Sequence, residues 1–165
     1  MTTLELHLRP IADADQAFLQ ALYASTRADE VAQLPWDQAS KDAFLAQQFS
    51  AQHQYYQAHY PDAALSLICK GERAIGRLYI FRGPTTLNLI DISLLPEWCG
   101  QGIGSHFLHA LTAEADATGK TIRLFVEPTN PARRLYERCG FEATGSNHIY
   151  LQMQRTPAPA LAVSA

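Results

Sequence analysis

The run Leu94-Leu95-Pro96-Glu97-Trp98-Cys99-Gly100-Gln101-Gly102-Ile103-Gly104 constrains this chain more than any other stretch. A strand-like segment, Leu87 to Leu95, enters it, and Ile103, Phe107, Leu108, Leu111 and Ala115 leave it at helical spacing. The two periodicities do not run into one another, so the chain must turn between them. Three glycines in five residues let it do so tightly. The first amides of a helix have no partner inside it and carry the positive end of its dipole, which makes the junction a site for a phosphate or pyrophosphate.

On the N-terminal side, Leu4, Leu6 and Leu8 alternate with Glu5, His7 and Arg9 up to Pro10, the pattern of a half-buried strand. Helical spacing follows from Asp13 through Phe18, Leu19, Leu22 and Tyr23. A second helix is predicted from about Asp37 or Ser40 to His59, carrying Phe44, Leu45, Phe49, His53 and Tyr56. Ala64 to Cys69 and Ala74 to Phe81 read as strands joined by Lys70-Gly71-Glu72-Arg73, and Leu87 to Leu95 completes an antiparallel meander.

Gly119 ends the helix that begins at Ile103, and the β-branched, apolar run Thr121 to Val126 reads as a buried strand. Asn130-Pro131 opens a short helix that Gly140 closes. Phe141 to Met153 is strand-like again, with a turn at Gly145-Ser146-Asn147.

A chain of 165 residues suits one domain, placed at 1–155, with a flexible proline- and alanine-rich tail over 156–165. The net charge of -3 offers no basic footprint for nucleic acid. No apolar run approaches a membrane span, and the N-terminus has no signal-like pattern, so a cytoplasmic protein without membrane association is expected. Cys69, Cys99 and Cys139 are odd in number and unpaired in spacing, which suggests reduced thiols. His106 and His109 share a helix face, but no third ligand accompanies them and no metal site is expected.

The glycine run, followed by Asn130-Pro131-Ala132-Arg133-Arg134-Leu135-Tyr136-Glu137-Arg138-Cys139-Gly140-Phe141, resembles the GCN5-related N-acetyltransferase (GNAT) superfamily. The resemblance covers roughly residues 3–154 and is strongest over 87–141. It implies an α/β (α+β) fold: a mixed, mostly antiparallel central sheet of six to seven strands with about four helices on both faces. It also implies acetyl-CoA as co-substrate. In the family motif, Arg/Gln-x-x-Gly-x-Gly/Ala, the small positions fall on Gly102 and Gly104, while the basic or amide position falls on Cys99, a departure. The segment Cys99, Gly100, Gln101, Gly102, Ile103, Gly104 and Ser105 would hold the pyrophosphate. Leu94 and Leu95 would lie along the pantetheine arm, with an amide near Leu94 on the thioester carbonyl. Asn130 would bond the pantetheine or an ordered water, and Tyr136 would be the acid that protonates the departing thiolate.

The residues themselves suit that chemistry. A phenol has a pKa near that of an alkyl thiol, to within about a unit or two, so Tyr136 can donate as the thiolate forms. Asp91 and Ser93 share a strand face by alternation, and Asp91 is the candidate base. Glu97 competes for that role but sits in the loop beside the phosphates, where like charges repel. Tyr23, Arg27 and Trp36, with Glu30, Tyr55 and Tyr56 around them, are candidates for the acceptor site. Each has an ordinary reading too: Tyr136 as a core aromatic, Asn130 as a helix cap, Asp91 as a solvated strand residue, the aromatic set as packing between two helices.

The activity these features imply is direct transfer of acetyl from acetyl-CoA to a primary amine of a small molecule, peptide or protein. A covalent route through Cys99 or Cys139 lacks an activating His or Asp in the sequence pattern. The alternative is a non-catalytic acyl-CoA-binding regulatory module, suggested by Cys99. A dinucleotide fold fits poorly, since the glycines do not follow G-x-G-x-x-G. Association as a homodimer is left open.

Overall fold

The computed structural model describes residues 5–147 and 149–158. Leu4 and the part of the predicted tail from 159 onward lie outside the described residues. The elements run β1 (Leu6–Pro10), a 3-10 turn, α1 (Gln16–Thr26), α2 (Ala28–Ala32), α3 (Gln38–His59), β2 (Ala64–Lys70), β3 (Arg73–Arg82) and β4 (Thr86–Leu94). After a second 3-10 turn (Pro96–Trp98) come α4 (Ile103–Thr118), β5 (Thr121–Val126), α5 (Ala132–Arg138), β6 (Glu142–Ser146) and β7 (Leu151–Arg155). The strands form one seven-stranded sheet in the order β1-β2-β3-β4-β5-β7-β6. β4 runs parallel to β5, whereas β1 with β2, β5 with β7 and β6 with β7 are antiparallel. No helix among the described residues is long and apolar enough to cross a membrane.

Two compact units are distinguished within the chain. The first holds the described residues up to Tyr79 together with Asp91–Cys99. Its core gathers Leu19 and Tyr23 of α1, Phe49 of α3, and Leu67 and Cys69 of β2. Leu19 and Leu67 are fully buried, so truncating either to alanine costs about 2–5 kcal/mol. The Asp37 carboxylate accepts the Ser40 N–H at 2.8 Å and fixes the start of α3 where the sequence places it.

The second unit holds Ile80–Ile90 and the described residues from Gly100 on. Phe107, Leu108, Leu111 and Ala115 form the buried stripe of α4, and Ile122, Leu124 and Val126 the buried face of β5. Gly119 ends α4 in the left-handed conformation, at φ 66°. Arg155 grips Asp116 with two bonds of 2.9 and 3.0 Å, which ties the last strand to α4.

Several local expectations change. β1 is largely exposed, with Leu8 42% accessible, because it is the edge strand of the sheet rather than a half-buried one. Three helices, not two, follow it, the extra one being α2. Gly145 and Ser146 belong to β6, where the register slips between Ala143 and Gly145. The reversal comes at Asn147, whose side-chain oxygen accepts the N–H groups of Ile149 and Tyr150.

Candidate active site

In the first unit, the end of β4 is shaped by a glycine on its neighbour. A Cβ built on Gly76 falls on the Ser93 carbonyl oxygen and lies 3.2 Å from Leu94 Cα, so the strands pack closer there than any side chain permits. Leu95 N–H donates to Ile75 C=O at 2.9 Å. The parallel register of β4 with β5 includes Thr86↔Thr121 through Leu89↔Leu124, and β4 ends at Leu94.

Asp91 and Ser93 do share a face, as alternation predicts, and the group they meet is one that sequence reasoning missed. Arg77 sits inside the apolar run of β3 and is 4% exposed. A buried guanidinium must be paired and hydrogen-bonded. Its Nε donates to Asp91 Oδ2 at 2.5 Å, its Nη2 to Gln52 Oε1 at 2.8 Å, and its plane lies 4.6 Å from the Tyr79 ring centre. Ser93 Oγ donates to the same Asp91 oxygen at 2.7 Å. Asp91 is therefore an ion-pair partner rather than a solvated strand residue, and both contacts fall on Oδ2, leaving Oδ1.

Two more polar groups border this cluster. The Tyr79 hydroxyl and His53 Nδ1 are buried with no hydrogen-bond partner among the described residues. Burial pushes the Tyr79 phenol up, although Arg77 acts the other way. Burial, reinforced by the Arg77 charge, pulls the His53 imidazole down, so His53 is neutral at neutral pH.

Of the candidate acceptor residues, Tyr23 is a core residue. It is 7% exposed, its ring 6.0 Å from that of Phe49, because it falls on the inward stripe of α1. The Arg27 guanidinium lies 5.8 Å from the Tyr23 ring centre and pairs with Glu30 at 3.1 Å. Trp36 is 44% exposed and meets Phe44 edge-on at 5.5 Å, so an indole face remains open at the start of α3.

The glycine turn follows. The Cys99 thiol is directed back at the end of β4, its Sγ 3.5 Å from the Leu95 carbonyl oxygen and 3.7 Å from that of Leu94. In the second unit Gly100 and Gly102 take positive φ, 75° and 82°, which explains both glycines. Gly102 is the cap of α4 and no side chain caps it. The first helical bond runs from His106 N–H to Gly102 C=O at 3.0 Å, so the N–H groups of Ile103, Gly104 and Ser105 have no partner within the helix. Ile103, 5% exposed, anchors this first turn, and Gln101 is exposed beside it.

Gly104 lies against α5. A Cβ built on it comes to 3.7 Å from Leu135 Cδ2, an ordinary contact, so packing within the protein does not require glycine there. Asn130 Oδ1 accepts the Ala132 N–H at 2.9 Å and sets the start of α5, with Pro131 as the cap residue. Tyr136 is 7% exposed with its ring 5.7 Å from Phe141. Burial raises the Cys139 thiol, which disfavours the thiolate a covalent route needs. His106 and His109 are exposed, and among the described residues no three His, Cys, Asp or Glu side chains gather as metal ligands.

The family model described as acetyltransferase (GNAT) family matches residues 26–141. The chain belongs to that acetyltransferase family. Its fold is similar to that of the PaiA N-acetyltransferase from Thermoplasma acidophilum, solved in complex with coenzyme A, at 16% identity and a TM-score of 0.68 over 92% of this chain and 99% of that one. An acetyltransferase from Thermus thermophilus matches at 18% identity and a TM-score of 0.67, over 94% and 99% of the two chains. One from Streptococcus agalactiae matches at 16% identity and 0.62, over 92% and 98%. A comparison with curated proteins found no significant match.

Proposed function

We propose that this protein transfers the acetyl group of acetyl-CoA directly to a primary amine of a small molecule or peptide. The observation that carries the reading is the start of α4: three successive N–H groups without helical partners, behind two left-handed glycines, at the head of a 16-residue helix. Such a head suits a pyrophosphate. The T. acidophilum neighbour, solved with coenzyme A, adds support through the shared fold.

The last residues of β4, up to Leu94, are where the pantetheine arm would pair. Successive amides of a strand face opposite edges. With the Leu95 N–H bound to Ile75, the Leu94 N–H is directed to the other edge, where it would hold the thioester oxygen as it gains charge. The amine lone pair attacks the carbonyl carbon, the C–S bond breaks, and the thiolate takes the Tyr136 phenolic proton. Asp91 Oδ1 accepts the proton that the new amide nitrogen sheds. Asn130 orients the arm through its side-chain N–H, and Arg27 and Trp36 border the acceptor. Three free thiols fit a reducing compartment such as the cytoplasm.

Incubation with acetyl-CoA and a panel of amines, following thiol release, tests the reading. Amine-dependent release supports it. Binding of acetyl-CoA without release above hydrolysis from any amine would instead identify a non-catalytic acyl-CoA module, the reading that the redirected Cys99 thiol favours.

A further inference from the structure

The proposed cofactor carries several negative charges, yet the motif position that usually supplies a cation or amide is Cys99, whose thiol faces its own backbone. The compensating charge stands on α5. Three of the chain's 13 Lys and Arg residues, Arg133, Arg134 and Arg138, fall within this seven-residue helix of a protein with a net charge of -3. They are not equivalent. Arg133 turns inward, donating from Nη1 to Pro128 C=O at 3.4 Å. Arg134 and Arg138 are exposed, stand one turn apart on the same face, and form no ion pair among the described residues. Glu137 lies beside them without pairing to either.

Two like charges one turn apart repel, by a few tenths of a kcal/mol on an isolated helix, unless an anion relieves them. Leu135 of the same helix packs against Gly104, which brings α5 beside the first turn of α4 and its anion site. The long, flexible arginine side chains can extend from α5 toward phosphates seated on the Ile103–Ser105 amides.

We propose that Arg134 and Arg138 bind the phosphates of acetyl-CoA and replace the charge that the motif lacks at Cys99. The inference rests on the acetyl-CoA reading above. The positive charge of the two arginines, which lysine would also supply, is what a polyanion seated there calls for.

The test is titration of the full chain with acetyl-CoA, for wild type, R134Q, R138Q and R134Q/R138Q, at two ionic strengths. The double variant should bind roughly ten-fold more weakly and with a flatter salt dependence, as expected for two partly screened charges near a polyanion. R134K/R138K should retain most of the affinity, and Lys41→Gln, on α3, should bind like wild type. Repeating the titration with dephospho-CoA identifies the phosphate. A penalty that persists places the arginines on the diphosphate, and one that vanishes places them on the 3′-phosphate. Equal affinity and salt slope in the double variant would overturn the proposal, as would an equal loss in the Lys variants. A wild type that binds no acetyl-CoA would overturn the underlying reading as well, so the two failures are distinct.

Discussion

Replacing Gly76 by alanine tests whether the end of β4 is held where the proposed chemistry needs it. The new Cβ meets the Ser93 carbonyl oxygen and the Leu94 Cα, both backbone, with the Leu94 Cδ2 at 2.8 Å as the third neighbour. A side chain can rotate away, but two paired strands must separate. Overpacking of a filled interior costs about 1–3 kcal/mol, and a backbone obstacle places Gly76→Ala at the upper end, about 3 kcal/mol. The shift needed to relieve it displaces Leu94, the residue whose N–H is assigned to the thioester oxygen. Misplacement of a catalytic donor by about an ångström lowers turnover on the order of 100-fold. Urea unfolding reads the first effect and steady-state thiol release the second. Gly145→Ala, where an added Cβ meets nothing within 4 Å, is the control and should stay within about 0.5 kcal/mol of wild type. A Gly76→Ala protein with the wild-type urea midpoint and turnover would refute the argument.

Tyr136→Phe should lower kcat about 100-fold with little change in KM for acetyl-CoA. Asp91→Asn removes the counter-charge of a guanidinium that is 4% exposed. Loss of one partner of a buried pair costs about 3–5 kcal/mol, and partial exposure of Asp91 reduces this to about 2–3 kcal/mol, read by urea unfolding. The His53 imidazole titrates below its ordinary 6.5 because of burial and the Arg77 charge. As pH falls through 6.5 the unfolded chain takes up this proton first, so stability falls with falling pH until the folded group titrates too. His53→Gln should flatten the pH dependence of the unfolding midpoint in that window, whereas an unchanged slope would show that His53 does not govern it.

The elements around the glycine turn were legible because local chemistry dictates them. Gly100 and Gly102 take the positive φ that their spacing suggests, and Gly119 ends α4 as a left-handed cap. Long-range pairing was not legible. Arg77 lies in an apolar run and draws attention only once Asp91 and Gln52 are brought to it from β4 and α3. An arginine inside an apolar strand was the signal available, since such a charge demands a partner. Tyr23 shows the opposite case: its helical spacing fits an inward or an outward stripe, and only packing against Phe49 chooses between them. Leu8 misled because alternation reports which residues share a face, and the edge position of β1 leaves that face uncovered.

On the acetyl-CoA reading, the three amides at the head of α4 without helical partners hold the phosphates of acetyl-CoA. Backbone amide resonances followed during an acetyl-CoA titration test it most directly. Saturable shifts are expected at Ile103, Gly104 and Ser105, reproduced by free CoA. Unmoved resonances at these three residues, in a protein that still binds acetyl-CoA, would contradict it.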